Sequence, residues 1–271
     1  MTESIFTRDG ELFVPTDYAR GPWRPDTMHG GPPAGLLARA LEQHAGDRAF
    51  QMARITIDLF RQPPFSPVSV QVRPLREGRR IRVLEASMLA HGVEITRASA
   101  LFLLRSDAEG QEHPVARPPG PEGLPGNFGF GRRAPDAPSM HEQARRPGFG
   151  SAVETRWVSE PGESPPTIWL RFPVPLVEGE ETSPSVRAVT VSDLANPLSN
   201  QVADGGMPRG FINADNTLYM HREPEGEWLC VQAPYHEEIG GVGVVESIWY
   251  DRRGRYGRGV EARLAQERIR F

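Results

Sequence analysis

Eight prolines fall between Asp107 and Gly150, at 114, 118, 119, 121, 125, 135, 138 and 147, interleaved with glycines and with no apolar periodicity. Proline fixes φ and removes a backbone donor, and glycine loosens the chain, so this stretch is not expected to build regular strands or helices. It reads as a long linker or wrapping loop. The chain of 271 residues is thereby divided into a first segment 1–106, a linker 107–150 and a second segment 151–271. That length can bury a sizeable core, as one large domain or two fused smaller ones.

The two segments share an order of elements. In the first, Leu12 to Val14 is strand-like, and Met28-His29-Gly30-Gly31-Pro32-Pro33-Ala34 leads into a helix running to about Ala45. Prolines suit a helix start, where their missing N–H groups would have no partner. Leu37, Ala40, Leu41 and His44 recur at helical spacing and define its expected inner face. Strands are expected around Ile55 to Leu59, Val68 to Val72, Ile81 to Leu89 and Glu94 to Leu104, the last two joined by a His91-Gly92 turn. The second segment offers strands at Thr155 to Val158 and Ile168 to Phe172, then a helix from about Ser185 capped by Ser183 or Ser185. Strands at Phe211 to Met220, Trp228 to Gln232, Val242 to Tyr250 and Val260 to Phe271 follow. The halves share pattern rather than residues, which points to α+β architecture with each sheet wrapped on its own helix.

Composition removes several classes of function. With 31 basic against 35 acidic side chains the formal charge is −4, which argues against a nucleic-acid binder. Every basic side chain is arginine, so lysine-dependent Schiff-base and P-loop chemistry is excluded. The single Cys230 rules out internal disulfides and thiolate metal clusters, and its strand-like run marks it as a core residue. The N-terminus lacks the pattern of a secretory signal, and no run of about 18 apolar residues is present. A cytoplasmic protein without a membrane span is the expectation. Nucleophile-elbow, zincin and dinucleotide-binding motifs are also missing.

Two features can carry chemistry. At 100° per residue Asp193 falls between Val186, Val189 and Thr190, inside the apolar arc of the second helix, where a carboxylate is costly unless paired, hydrogen-bonded or protonated. It serves either as a functional carboxylate or as a buried support for the turn at Asn196-Pro197. The second feature is His29-Gly30-Gly31 at a helix start. Free N–H groups there can receive negative charge, including an oxyanion formed in acyl transfer, although a plain glycine-rich entry turn has the same composition.

With these residues in view, the sequence resembles the double hot-dog thioesterases of the acyl-CoA thioesterase II type and their thioesterase-like relatives. The resemblance rests on His29-Gly30-Gly31-Pro32-Pro33, Ser192-Asp193-Leu194, Asp215-Asn216-Thr217-Leu218-Tyr219-Met220-His221-Arg222 and Gln266-Glu267. It implies an α+β double hot-dog, two fused halves each wrapping an antiparallel sheet on a long helix. It also implies Asp193 as catalytic aspartate and Gln266 as a glutamine holding the attacking water. Asn213 stands where the family has a water-holding threonine, and Thr217 is a nearby hydroxyl that could compensate. His29, Gly30 and Gly31 become candidates for substrate and oxyanion contact, and His221-Arg222 for support of a strand end.

The implied reaction is hydrolysis of an acyl-CoA or acyl-carrier thioester in fatty acid metabolism. It uses no metal or cofactor, and arginines at the rim meet coenzyme A phosphates in a homo-oligomer. A non-hydrolytic acyl-thioester binder and a hot-dog dehydratase or hydratase are the alternatives. The latter normally uses an Asp/His pair, and no histidine lies near Asp193 in sequence.

Overall fold

The computed structural model describes residues 3–22, 24–46, 49–106, 110, 116–128, 148–160, 163–199 and 210–266. A hairpin of β1 (Phe6–Asp9) and β2 (Leu12–Pro15) precedes α1 (Gly31–Ala45). Four strands follow: β3 (Phe50–Asp58), β4 (Ser69–Glu77), β5 (Ile81–Ala90) and β6 (Val93–Leu104). The β5–β6 turn is His91-Gly92 with φ of 51° and 76°, the left-handed pair that a tight hairpin requires.

The second half contains β7 (Gly126–Phe128), α2 (Phe149–Ala152), β8 (Glu154–Trp157), β9 (Thr167–Arg171), α3 (Pro184–Ser192) and α4 (Ala195–Ser199). It closes with β10 (Gly210–Asn213), β11 (Asp215–Met220), β12 (Leu229–Ile239), β13 (Val242–Tyr250) and β14 (Arg255–Gln266). Among the described residues one antiparallel sheet runs β4-β5-β6-β3-β11-β14-β13-β12-β9-β8-β7, with β10 also on β14. The β3–β11 ladder, where Thr56 faces Thr217 and Ile57 faces Asn216, joins the two halves edge to edge. No described helix is long and apolar enough to cross a membrane.

The halves also meet through their helices. The first eight residues of α1 are buried, because this end of the helix lies against α3 instead of solvent. The approach is close. A β-carbon on Gly31 would stand 2.4 Å from the Thr190 carbonyl oxygen, and one on Gly35 would stand 2.3 Å from the Thr190 hydroxyl. Two glycines one helical turn apart therefore permit the crossing.

Several expectations need correction. The inner face of α1 is Leu37, Ala38, Leu41 and Ala45, whereas Ala40 is half-buried and His44 is exposed. Helix α3 has no polar arc: apart from Arg187 it is buried all round from Ser185 to Ser192, held between α1 and β11. The linker does contribute a strand, β7, which pairs with β8 at the sheet edge, where three residues of backbone suffice. Its Pro119 carbonyl also accepts a hydrogen bond from Trp169 Nε1 at 2.7 Å. Ser183 is the cap of α3, its hydroxyl accepting from the Val186 N–H at 3.2 Å.

The expected strand from Phe211 to Met220 breaks at Ala214. Between the pairs Asn213–Arg263 and Thr217–Val260, three residues of one chain oppose two of the other. Such a bulge re-aims side chains, and here both Asn213 and Asn216 reach the end of α3. In β14 the usual alternation is inverted: Glu261 and Arg263 are buried, while Val260 and Leu264 are exposed. Cys230 is buried against Trp169 and Tyr250, and burial pushes its thiol well above the ordinary range.

Candidate active site

Asp193 is the C-cap of α3, not a mid-helix residue. Its backbone (φ −59°, ψ −13°) ends the helix, and α4 begins two residues later. The residue is 7 % exposed, and its side chain turns toward the N-terminus of α1. A β-carbon at Gly30 would lie within 3.0 Å of three Asp193 carboxyl atoms, so only glycine admits the carboxylate at the N-cap.

Three donors converge on this carboxylate. His29 Nδ1 lies 2.8 Å from Oδ2, Asn213 Nδ2 lies 2.5 Å from Oδ1, and the Gly31 N–H completes the set. A carboxylate has no proton to give, so the His29 contact places a hydrogen on Nδ1. That nitrogen is also 3.2 Å from the Gly31 N–H. Once protonated it cannot accept, which leaves Asp193 as the Gly31 acceptor. Pro32 and Pro33 carry no N–H, so Gly31 is the single donor among the first three residues of α1. The positive end of the helix dipole adds to the same attraction. Burial pulls the Asp193 carboxyl upward, but the charge and hydrogen bond of His29, with Asn213 and Gly31, outweigh it and hold the group below the usual carboxylate value.

The expected site residues separate in space. Asp193, His29, Gly30, Gly31 and Asn213 come together. Thr217 does not join them: its hydroxyl bonds Thr56 Oγ1 at 3.1 Å across the β3–β11 ladder, on the opposite face from buried Asn216. Asn216 donates to Ser192 Oγ at 2.8 Å, steadying the residue beside Asp193. Gln266 ends β14 with its backbone opposite Gly210, and its side chain lies outside the described residues. Arg222 forks onto buried Asp251 at 2.5 and 2.7 Å, the strand-end support expected of the His221-Arg222 pair. Glu267 lies outside the described residues.

Two features escaped the sequence. One is the His29–Asp193 pair itself, whose ring also packs on Phe149 at 4.8 Å between centroids, with Phe149 stacked on Phe172. Beyond Phe172 lies a cavity of about 200 Å³, lined by apolar Ile5, Val174, Leu176 and Val191 and by charged Arg187 and Glu227, among others. The other is Glu261, on the buried face of β14. Only the polar residues at alternate positions of that strand, Glu261 and Arg263, could have signalled it.

Comparison with known proteins finds two family domains in the chain, the second beginning inside the stretch expected as linker. Residues 19–103 match the model of the acyl-CoA thioesterase N-terminal domain, and residues 131–256 match that of the C-terminal domain. The chain belongs to the acyl-CoA thioesterase family. Its fold is the double hot-dog: it superimposes on acyl-CoA thioesterase II TesB2 from Mycobacterium marinum with a TM-score of 0.67 at 16% identity, covering 98% of this chain and 97% of that one. A TesB protein of Mycobacterium avium subspecies paratuberculosis gives 0.68 at 15% identity, with 96% and 95% covered. A hot-dog protein of unknown function from Alicyclobacillus acidocaldarius gives 0.72 at 16% identity, with 97% and 96% covered. No curated protein matches the sequence. This acyl-CoA thioesterase family member is accordingly a thioester hydrolase with an α+β double hot-dog fold.

Proposed function

We propose that the enzyme hydrolyses acyl-CoA thioesters with a water activated by Asp193. The observation that carries this reading is a buried carboxylate, held ionised by three donors, at the mouth of a helix N-terminus. A carboxylate accepts about four hydrogen bonds, so three donors leave room for one water. That water's oxygen adds to the thioester carbonyl carbon as its proton passes to Asp193. Collapse of the adduct breaks the C–S bond, and the proton goes to the departing thiolate. The products are a carboxylic acid and a thiol.

Asn213 holds the carboxylate by its amide N–H and offers Oδ1 to the water; Gln266 is the proposed further anchor from the end of β14. Among the described residues the Gly30 N–H has no acceptor, which suits it to the oxyanion with the α1 dipole behind it. The apolar walls beyond Phe172 suit the acyl chain. Incubation with acyl-CoAs of several lengths should release free thiol; tight binding with the thioester intact would favour the binder instead.

The His29–Asp193 pair supports one second reading, a hydratase or dehydratase acting on hydroxyacyl thioesters. Enoyl-CoA as substrate separates the two. Hydrolysis gives thiol, whereas hydration consumes the double bond and leaves the thioester whole.

The outer face of the second half carries exposed Ile239, Val242, Val244, Val260 and Leu264 on neighbouring strands. We propose this strip as a contact between copies in a homo-oligomer. Light scattering should give a mass above that of one chain, and a monomer at micromolar concentration would exclude the contact.

A further inference from the structure

Glu261 is 2 % exposed, and among the described residues its Oε2 has no hydrogen-bond partner. It lies on the buried face of β14 with Arg263, the residue opposite Asn213, and its strand runs beside the bulge that brings Asn213 and Asn216 to Asp193 and Ser192. A buried acceptor left without a partner is costly, and Glu261 shares the buried face of the sheet with Asn216, which bonds Ser192 next to Asp193.

We propose that Glu261, as a neutral carboxylic acid, donates a hydrogen bond to the water that Asp193 activates. The proposal rests on the Asp193 reading and adds a second carboxyl, one that keeps its proton throughout the cycle. The groups facing it agree with that state. Burial first, then the charges of Asp193 from the end of α3 and Asp215 from β11, push the Glu261 carboxyl well above its ordinary value; Arg263, on its own strand, pulls the other way. Two carboxyls in one buried site thus divide the work, one ionised to take a proton and one neutral to donate a hydrogen bond. Ionisation of Glu261 at high pH would remove the donor and add a second negative charge, so the water would lose its orientation.

The test compares wild type, Glu261→Gln, Glu261→Leu and Asp193→Asn across pH with an acyl-CoA substrate and a thiol readout. Glu261→Gln, whose amide still donates, should keep kcat within about threefold at neutral pH and lose the alkaline fall in rate expected of wild type. Glu261→Leu should lose about 100-fold in kcat at every pH with little change in KM. Its melting temperature should hold or rise, because an unpaired buried carboxyl has been replaced by an apolar group. A purely structural Glu261 gives the reverse: Glu261→Leu retains kcat, or loses melting temperature and kcat together, and Glu261→Gln retains the alkaline fall. Either result overturns the proposal. If Glu261 variants behave as wild type while Asp193→Asn is inactive, only this inference fails; an active Asp193→Asn removes the reading beneath it.

Discussion

Asp193→Asn is expected to lower turnover about 10²- to 10³-fold with the fold preserved. The amide has nearly the same shape but cannot take a proton from water. It also brings donors of its own into a place already supplied with them. His29 Nδ1, Asn213 Nδ2 and the Gly31 N–H all point at the two carboxyl oxygens, and only one of those oxygens survives the substitution. One donor therefore meets an NH₂ group and must turn away. The loss should appear in kcat, since the carboxylate acts on the water and not on substrate binding. Thiol release and a thermal melt on the same sample check both halves of this expectation. Full activity in a folded variant would move the base elsewhere, with His29 the first candidate.

The largest structural effect is expected from the glycines of the helix crossing. Gly31→Ala puts a methyl 2.4 Å from the backbone oxygen of Thr190 and 2.9 Å from the Phe149 ring. Neither helix can retreat without opening the core, and overpacking of this kind costs about 1–3 kcal/mol or more. Because relieving the clash shifts the residue 31 N–H away from Asp193, activity should fall with stability. Gly35→Ala meets a side chain instead, the Thr190 hydroxyl at 2.3 Å, which bonds the Val186 carbonyl at 2.7 Å. Adding Thr190→Ala should recover much of the stability lost in Gly35→Ala and little of that lost in Gly31→Ala. Equal recovery in denaturant titrations would show that the two clashes are not what separates these positions.

These expectations show where sequence patterns reach and where they stop. Periodicity located α1, and the paired order of elements brought out the two-fold repeat, because both are local signals. Asp193 stood out as an acid among apolar residues, although its helix ends at Ser192 and α3 is buried on every side but that of Arg187. What failed depended on partners far along the chain. His29 and Asp193 meet only because Gly31 and Gly35 let two helices touch, and no local pattern records which helices cross. Thr217 resembled a member of the site until strand alternation, set by the bulge at Ala214, turned it to Thr56. Glu261 hid inside a stretch of strand where Val260 and Leu264 face outward. Motif spacing also says nothing about the short β7, which exists because β8 offers an open edge.

Isotope placement after a single turnover in ¹⁸O-water, with enzyme in excess over an acyl-CoA, reports most directly on what the Asp193 carboxylate does. Attack by a water that Asp193 deprotonates should put the label in the released acid and none in the protein. Label recovered in the peptide carrying Asp193 would mean that the carboxylate itself attacked the thioester, and the water-activating role would have to be abandoned.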